Sequence, residues 1–184
     1  MGAAQVAWHC ALGQQQRFVM ENAYWGQSYG TDDVRTVLNA TGADCRFVED
    51  DVKLVEATVD RLVGGKVVAW FQGRFEWGPR ALGNRSILAD PRKADMKDLV
   101  NSKIKFREPF RPFAPSVTME AAGEYFNIHD PHHQYPARFM LYVVPVNEGK
   151  GEIIPAVTHV DGTARLQIVG RDTNPRYHSL IAAF

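Results

Sequence analysis

Apolar residues recur at helical spacing in two acid-capped segments and then give way to short continuous runs, a pattern of helices packed on buried strands. Thr31 caps a predicted helix with Asp32 and Asp33 in its first turn, Val34, Val37 and Leu38 on one face, and Gly42 past its end. Asp50 or Asp51 opens a second, with Val52, Val55, Val59 and Leu62 in register and Gly64-Gly65 as its stop. CRFV at 45–48 reads as a short strand between them, and VVAWF at 67–71 as a strand buried on both faces. SILA at 86–89 predicts another strand, ended by Asp90-Pro91, and Ala94 to Ser102 a helix with Met96, Leu99 and Val100 inward.

Further along, prolines at 109, 112 and 115 argue against a helix, so KIKFREPFRPFAP reads as an extended edge segment pinned by its phenylalanines. FMLYVVPV at 139–146 predicts a buried strand. Residues 157–169 read as a hairpin about Asp161-Gly162, the favoured two-residue turn. That register sets Arg165 opposite Thr158, on the face of Val160, Thr163 and Gln167, with His159 on the other face beside Val157, Ala164 and Leu166. Asn174-Pro175 starts a last helix. Ahead of all this, Ala3 to Leu12 is a short apolar helix stopped by Gly13, and residues 17–30 an aromatic, irregular linker packed on a surface. Helices followed by buried strands give an α/β domain.

Composition changes this picture in one respect. With 21 basic and 21 acidic residues the chain has no global pull toward nucleic acid or anionic membrane. Yet Arg74 to Arg111 holds Arg74, Arg80, Arg85, Arg92, Lys93, Lys97, Lys103, Lys105, Arg107 and Arg111 against Glu76, Asp90, Asp95, Asp98 and Glu108, ten cations against five acids. Glycines and phenylalanines fill the same stretch, which suggests a walled site for an anion, with backbone N–H groups and arginine forks as donors. Two cysteines, Cys10 and Cys45, make no disulfide framework, and no apolar run approaches a membrane span. A soluble protein of a reducing cytoplasm is expected.

Gly78 to Ser86, GPRALGNRS, imitates a phosphate-binding P-loop but has Arg85 where lysine is required and a strand where a helix should follow. A different anion loop, using Arg80, Arg85 and backbone N–H groups, is the better reading; the bland alternative pairs Arg80 and Arg85 with Glu76 and Asp90 on the surface. Lys105 and Arg107 lie two apart, so an extended backbone would project both to one side while Phe106 anchors the other. His129, His132 and His133 with Asp130 fall in a polar loop and read as solvated rather than metal-binding, and His159 as a hydrogen-bonded core residue.

FQGRFEWGPRALGNRSILADPR, NSKIKFREPFRPFAPS, PAVTHVDGTARLQIV and NPRYHSLI together closely resemble the C-terminal domain of the O-carbamoyltransferase family, which includes NodU and the cephamycin, novobiocin and tobramycin carbamoyltransferases. The likeness runs from about Arg17 to Phe184. It implies a YrdC-like α/β fold, a twisted mixed sheet with flanking helices, over residues 51–184. Residues 17–50 would be a linker and first helix, and 1–16 the residual helix of a preceding actin-like domain. It implies binding of carbamoyl phosphate and ATP with magnesium and formation of carbamoyl adenylate. The actin-like domain, which carries a further metal, would then pass the carbamoyl group to an acceptor hydroxyl.

In that likeness Lys105 and Arg107 hold phosphates as a Lys-x-Arg signature, Arg165 meets the phosphate or carbamoyl oxygen, and Arg80, Asn84, Arg85 and Ser86 complete the pocket. The family's Asn-Thr-Ser-Phe-Asn segment is not in this sequence, so the fold is expected to be truncated at its C-terminus. A basic cleft with aromatics is also what an RNA-binding module would show, although zero net charge argues against nucleic acid, and a non-catalytic anion sensor is a third option.

Overall fold

The structure, a computed structural model, describes residues 2–184. Two small sheets organise it. β1 (Val68–Phe71) pairs antiparallel with β2 (Arg85–Leu88), and β3 (Ser116–Thr118) lies parallel to β5 (Thr163–Val169), whose other edge takes β4 (Tyr142–Pro145) antiparallel. The three-stranded sheet is mixed, the two-stranded one antiparallel, and helices accompany both, as expected of an α/β chain. Among the described residues no helix is long and apolar enough to cross a membrane.

On β5 the alternation predicted from sequence holds. Ala164, Leu166 and Ile168 point into the main core with Phe126, Val144 and Val157, which leaves Thr163, Arg165 and Gln167 on the opposite face. A second core joins Val55 of α3 (Asp51–Val63), Trp70 of β1, Val169, and Tyr177 and Leu180 of α8 (Pro175–Ala183). Both helices begin where the sequence placed them. Asp50 caps α3 by accepting from Val52 N at 2.8 Å, and Asn174 caps α8 by accepting from Tyr177 N at 3.2 Å. Of the apolar positions predicted on α3, Val55 and Leu62 are buried, whereas Val52 is exposed.

Elsewhere the structure departs from the pattern. Residues 157–160 form no strand: the turn closes through His159 N to Thr163 O at 2.7 Å, and β5 takes β4 as partner, setting Arg165 opposite Val143 rather than Thr158. Val157 N instead donates to Ile154 O at 3.2 Å, so the backbone turns there and does not run extended beside β5. β4 is an edge strand in which only Val144 is buried, and β1 has a single neighbour, so neither is the fully buried strand expected. CRFV is irregular because no strand lies beside it to supply a ladder, and its Phe47 is exposed. α1 (Gly2–Val6) continues into a π turn at Ala7–Ala11, and α2 (Thr31–Thr41) forms over the predicted stretch, with Gly30 rather than Thr31 at its cap, but buries none of its residues.

α4 (Met96–Val100) buries Met96 and Val100, then widens into a second π turn, Asn101–Lys105. Lys103 to Lys105 are therefore helical, not extended; the first proline comes only at 109 and nothing earlier forbids the winding. Phe106 ends it in the left-handed region, φ 49°. Phe106 and Phe110 are exposed, and only Phe113 packs into the core. The short helices α5 (Ala122–Tyr125), α6 (Tyr135–Arg138) and α7 (Lys150–Ile153) complete the shell.

A candidate anion-binding cleft

The polar face of β5 forms one wall of a cleft of about 750 Å³. Arg165 reaches it from β5, Arg80 from the glycine-rich loop, Ser86 from β2, Lys105 from the end of the π turn, and Arg107 from just beyond. Three separate stretches of sequence thus bring their cations to one hollow. The π turn matters locally, because the carbonyl of Asn101 accepts from both Phe106 N and Arg107 N and so fixes the sharp exit between the two cationic residues.

Arg165 feels the company it keeps. Its guanidinium is pulled below its ordinary range, first by burial and then by repulsion from Arg80 and Arg107. The buried Nε atoms of Arg80 and Arg165 have no hydrogen-bond partner. Among the described residues no carboxylate forms an ion pair with Arg80, Lys105, Arg107 or Arg165. Buried donors that lack acceptors, and like charges that lack counter-charge, are costly unless a ligand supplies both.

Arg107 is held differently from the sequence expectation. It does not lie beside Lys105 on an extended strand; its Nε donates to Asn101 Oδ1 at 2.7 Å and its guanidinium lies 4.5 Å from the centre of the Phe113 ring. Asn101 is fully buried, and its Nδ2 donates to Arg111 O at 3.1 Å. Sequence reasoning missed Asn101. The available signal was a polar residue directly after the inward pair Leu99 and Val100, but its partners lie outside its own helix.

The later half of the glycine-rich loop turns its N–H groups inward rather than to the cleft. Oε1 of Glu76 accepts from Leu82 N at 3.0 Å, Asn84 N at 2.7 Å and Arg85 N at 3.2 Å, while Ser86 Oγ accepts from Gly83 N at 2.9 Å. Asn84 and Arg85, grouped with the pocket by sequence, do not line it. Arg85 lies against Phe71 and Phe75, 3.6 and 4.2 Å from their ring centres, and donates to the carbonyls of Gln72, Asn84 and Gly73. Asn84 is buried in a network with Gln72, Asn174 and the Arg74 carbonyl. Nor do Arg80 and Arg85 pair with Glu76 and Asp90 on the surface: Asp90 is buried and gripped by Arg92 through two bonds of 2.9 and 2.8 Å.

The histidines lie apart. His133 Nδ1 is 2.7 Å from Asp130 Oδ2 on the surface, and His159 Nδ1 is 3.0 Å from Thr163 Oγ1. Among the described residues no three histidine, cysteine, aspartate or glutamate side chains are grouped to hold a metal ion.

Comparison with known proteins bears on what this cleft belongs to. The chain is 48% identical to the nodulation protein NolO of Bradyrhizobium diazoefficiens over 166 residues, covering 90% of this chain and 30% of that protein. It is 48% identical to the nodulation protein NolNO of Sinorhizobium fredii over 176 residues, or 94% of this chain and 25% of that one. The 3'-hydroxymethylcephem-O-carbamoyltransferase of Amycolatopsis lactamdurans is 49% identical over 123 residues, 67% of this chain and 22% of the enzyme. The chain thus spans at most about a third of these relatives. Residues 59–184, which supply every cation of the cleft, match the family described as Carbamoyltransferase C-terminus, and the chain belongs to that family.

Proposed function

We propose that this chain is a YrdC-like domain that binds carbamoyl phosphate and ATP and forms carbamoyl adenylate, for transfer of the carbamoyl group to an acceptor hydroxyl within a longer carbamoyltransferase. The single observation that carries the reading is the meeting of Arg80, Lys105, Arg107 and Arg165 around one cleft with no acid paired to any of them. Such a surplus suits a ligand bearing several phosphoryl charges. The planar forks of Arg80 and Arg165 match phosphate or carbamoyl oxygens, and Lys105 adds a mobile point charge.

In this reading water first hydrolyses carbamoyl phosphate to carbamate and inorganic phosphate, and a carbamate oxygen then attacks the α-phosphorus of ATP, forming the adenylate and releasing pyrophosphate. The protein's task is to bring two anions together and neutralise their repulsion, and no protein nucleophile is required. Magnesium would arrive with the nucleotide. The carboxylates lining the cleft, Asp90 and Glu124, are engaged by Arg92 and Lys150, so phosphate oxygens and water would be its ligands.

The acceptor hydroxyl and the actin-like partner domain belong to the remainder of the longer protein in this reading. The test is exchange of pyrophosphate into ATP, dependent on carbamoyl phosphate, alongside calorimetric binding of carbamoyl phosphate. Arg165→Ala and Lys105→Ala are each expected to lose both; undiminished binding and exchange in the two variants would refute the roles given to them.

A further inference from the structure

We infer that Glu76 is a positioning residue for this cleft: its carboxylate fastens the two ends of the 76–85 loop together and thereby aims Arg80 at the ligand. The inference rests on the reading of the cleft as an anion site. Glu76 itself does not line the cleft, and one of its oxygens, Oε1, accepts all three N–H groups from Leu82, Asn84 and Arg85.

The loop is clamped at both ends. On its entering side, Phe75 N donates to Gln27 O at 2.9 Å and Trp77 N donates to Ala23 O at 2.6 Å. On its leaving side, Leu82 O accepts from Gln167 Nε2 and from Tyr24 Oη, each at 2.9 Å. Between the clamps, Gly78 to Ala81 makes no backbone hydrogen bond to the body of the protein. Arg80 lies in that free span, and its buried Nε has no partner of its own. What closes the span into a loop of fixed shape is the carboxylate linking its start to its end. An ionised acceptor suits three converging N–H donors, which water cannot reach easily at this half-buried position.

This arrangement also changes how the loop recognises a ligand. The N–H groups of Leu82, Gly83, Asn84 and Arg85, which the glycine-rich sequence offers for an external anion, already serve internal acceptors. The part of the loop left to face a ligand is the span that carries Arg80.

The experiment compares binding of carbamoyl phosphate, and separately of inorganic phosphate, by the wild-type chain, Glu76→Asp, Glu76→Gln, Arg80→Ala and the double variant Glu76→Asp/Arg80→Ala. Asp is one methylene too short to hold all three donors, while Gln keeps the accepting oxygen in place. Glu76→Asp is expected to weaken binding about tenfold and Glu76→Gln less than about threefold, the difference reflecting whether the donors keep their acceptor. Because Glu76 acts through Arg80, the Asp substitution should cost nothing further once Arg80 is gone.

Equal losses from Glu76→Asp with and without Arg80 would overturn the inference, since a general softening of the fold would produce that result. So would wild-type affinity in a folded Glu76→Asp protein. Arg165→Ala separates this from the underlying reading: if the wild type binds neither probe, or Arg165→Ala binds both as the wild type does, the anion-site reading fails and Glu76 falls with it. If Arg165→Ala loses binding and Glu76→Asp does not, only the role of Glu76 is refuted.

Discussion

Gly83 sits in the glycine-rich loop that the sequence reads as an anion loop, but what approaches it is Tyr177. A Cβ at Gly83 would come within 2.9 Å of both Cε1 and Cγ of the Tyr177 ring and closer still to Cδ1, at a backbone φ of +110°. Two costs then add in Gly83→Ala. Forcing alanine into that backbone region costs about 1–3 kcal/mol, and overpacking a buried ring costs about 1–3 kcal/mol more. Gly78 is the internal control: its φ is +118°, yet a Cβ there meets nothing within 4 Å, so Gly78→Ala carries only the backbone part. At about 2–4 °C per kcal/mol for a chain of this length, Gly83→Ala should melt about 4–24 °C below the wild type, and well below Gly78→Ala. Urea titration followed by the fluorescence of the buried Trp70 measures the same difference. In a Tyr177→Leu background, which removes the obstructing ring, the extra cost of Gly83→Ala should disappear. Equal destabilisation by the two alanines, or a Gly83→Ala penalty unchanged by Tyr177→Leu, would refute the packing argument.

Asn174→Ala should destabilise by about 2–4 kcal/mol in denaturant titration, because the side chain caps α8 and also joins Gln72, Tyr24 and Asn84. Asp90 gives a pH prediction. Burial pushes its carboxyl up, but the hydrogen bonds and charge of Arg92 together outweigh burial and hold it below its ordinary 3.8. A depressed carboxylate contributes stability above its unfolded pKa and loses it as pH falls through the folded one. Arg92→Ala should therefore cost about 1–3 kcal/mol at neutral pH and move acid unfolding to higher pH, read by melting temperature against pH. Arg165→Met should abolish carbamoyl phosphate binding while raising the melting temperature of the ligand-free chain, corresponding to a gain of about 1 kcal/mol, since it removes a crowded, unpaired cation.

What the sequence made legible was local chemistry. Asp50 and Asn174 announce helix starts because each cap bonds a backbone N–H two or three residues away. The period-two pattern of residues 163–169 placed Arg165 on the polar face whichever strand β5 paired with. The choice of partner was not legible. VTHV at 157–160 and YVVP at 142–145 are both apolar enough to pair, and what separates them is the turn that follows α7, in which Val157 N bonds Ile154 O. Lys105 and Arg107 both line one hollow, but Lys105 lies in a helical turn where the sequence predicts an extended backbone, since a proline four residues downstream of Lys105 does not reach back to unwind it. Arg85 was the larger misjudgement. Its partners are carbonyls and two aromatic rings, and no motif distinguishes an arginine serving its own loop from one serving a ligand.

The same stretch contains two anion problems and solves them in opposite ways. Glu76 brings its own negative charge to the backbone donors of the glycine-rich loop and to the vicinity of Arg85, whose guanidinium lies lower than usual through burial although Glu76 acts to raise it. That carboxylate is spent inside the loop and forms no ion pair with the cations of the cleft. Arg80, Arg107 and Arg165 therefore repel one another with no internal acid to offset them, a state that marginal stability tolerates only in small amounts. A bound polyanion would relieve that repulsion and satisfy the two orphaned Nε atoms at once, so ligand affinity and ligand-free instability have a common origin here. Substitutions that weaken binding by removing a cleft cation should stabilise the empty chain, whereas those that weaken it through the loop, at Glu76, should not.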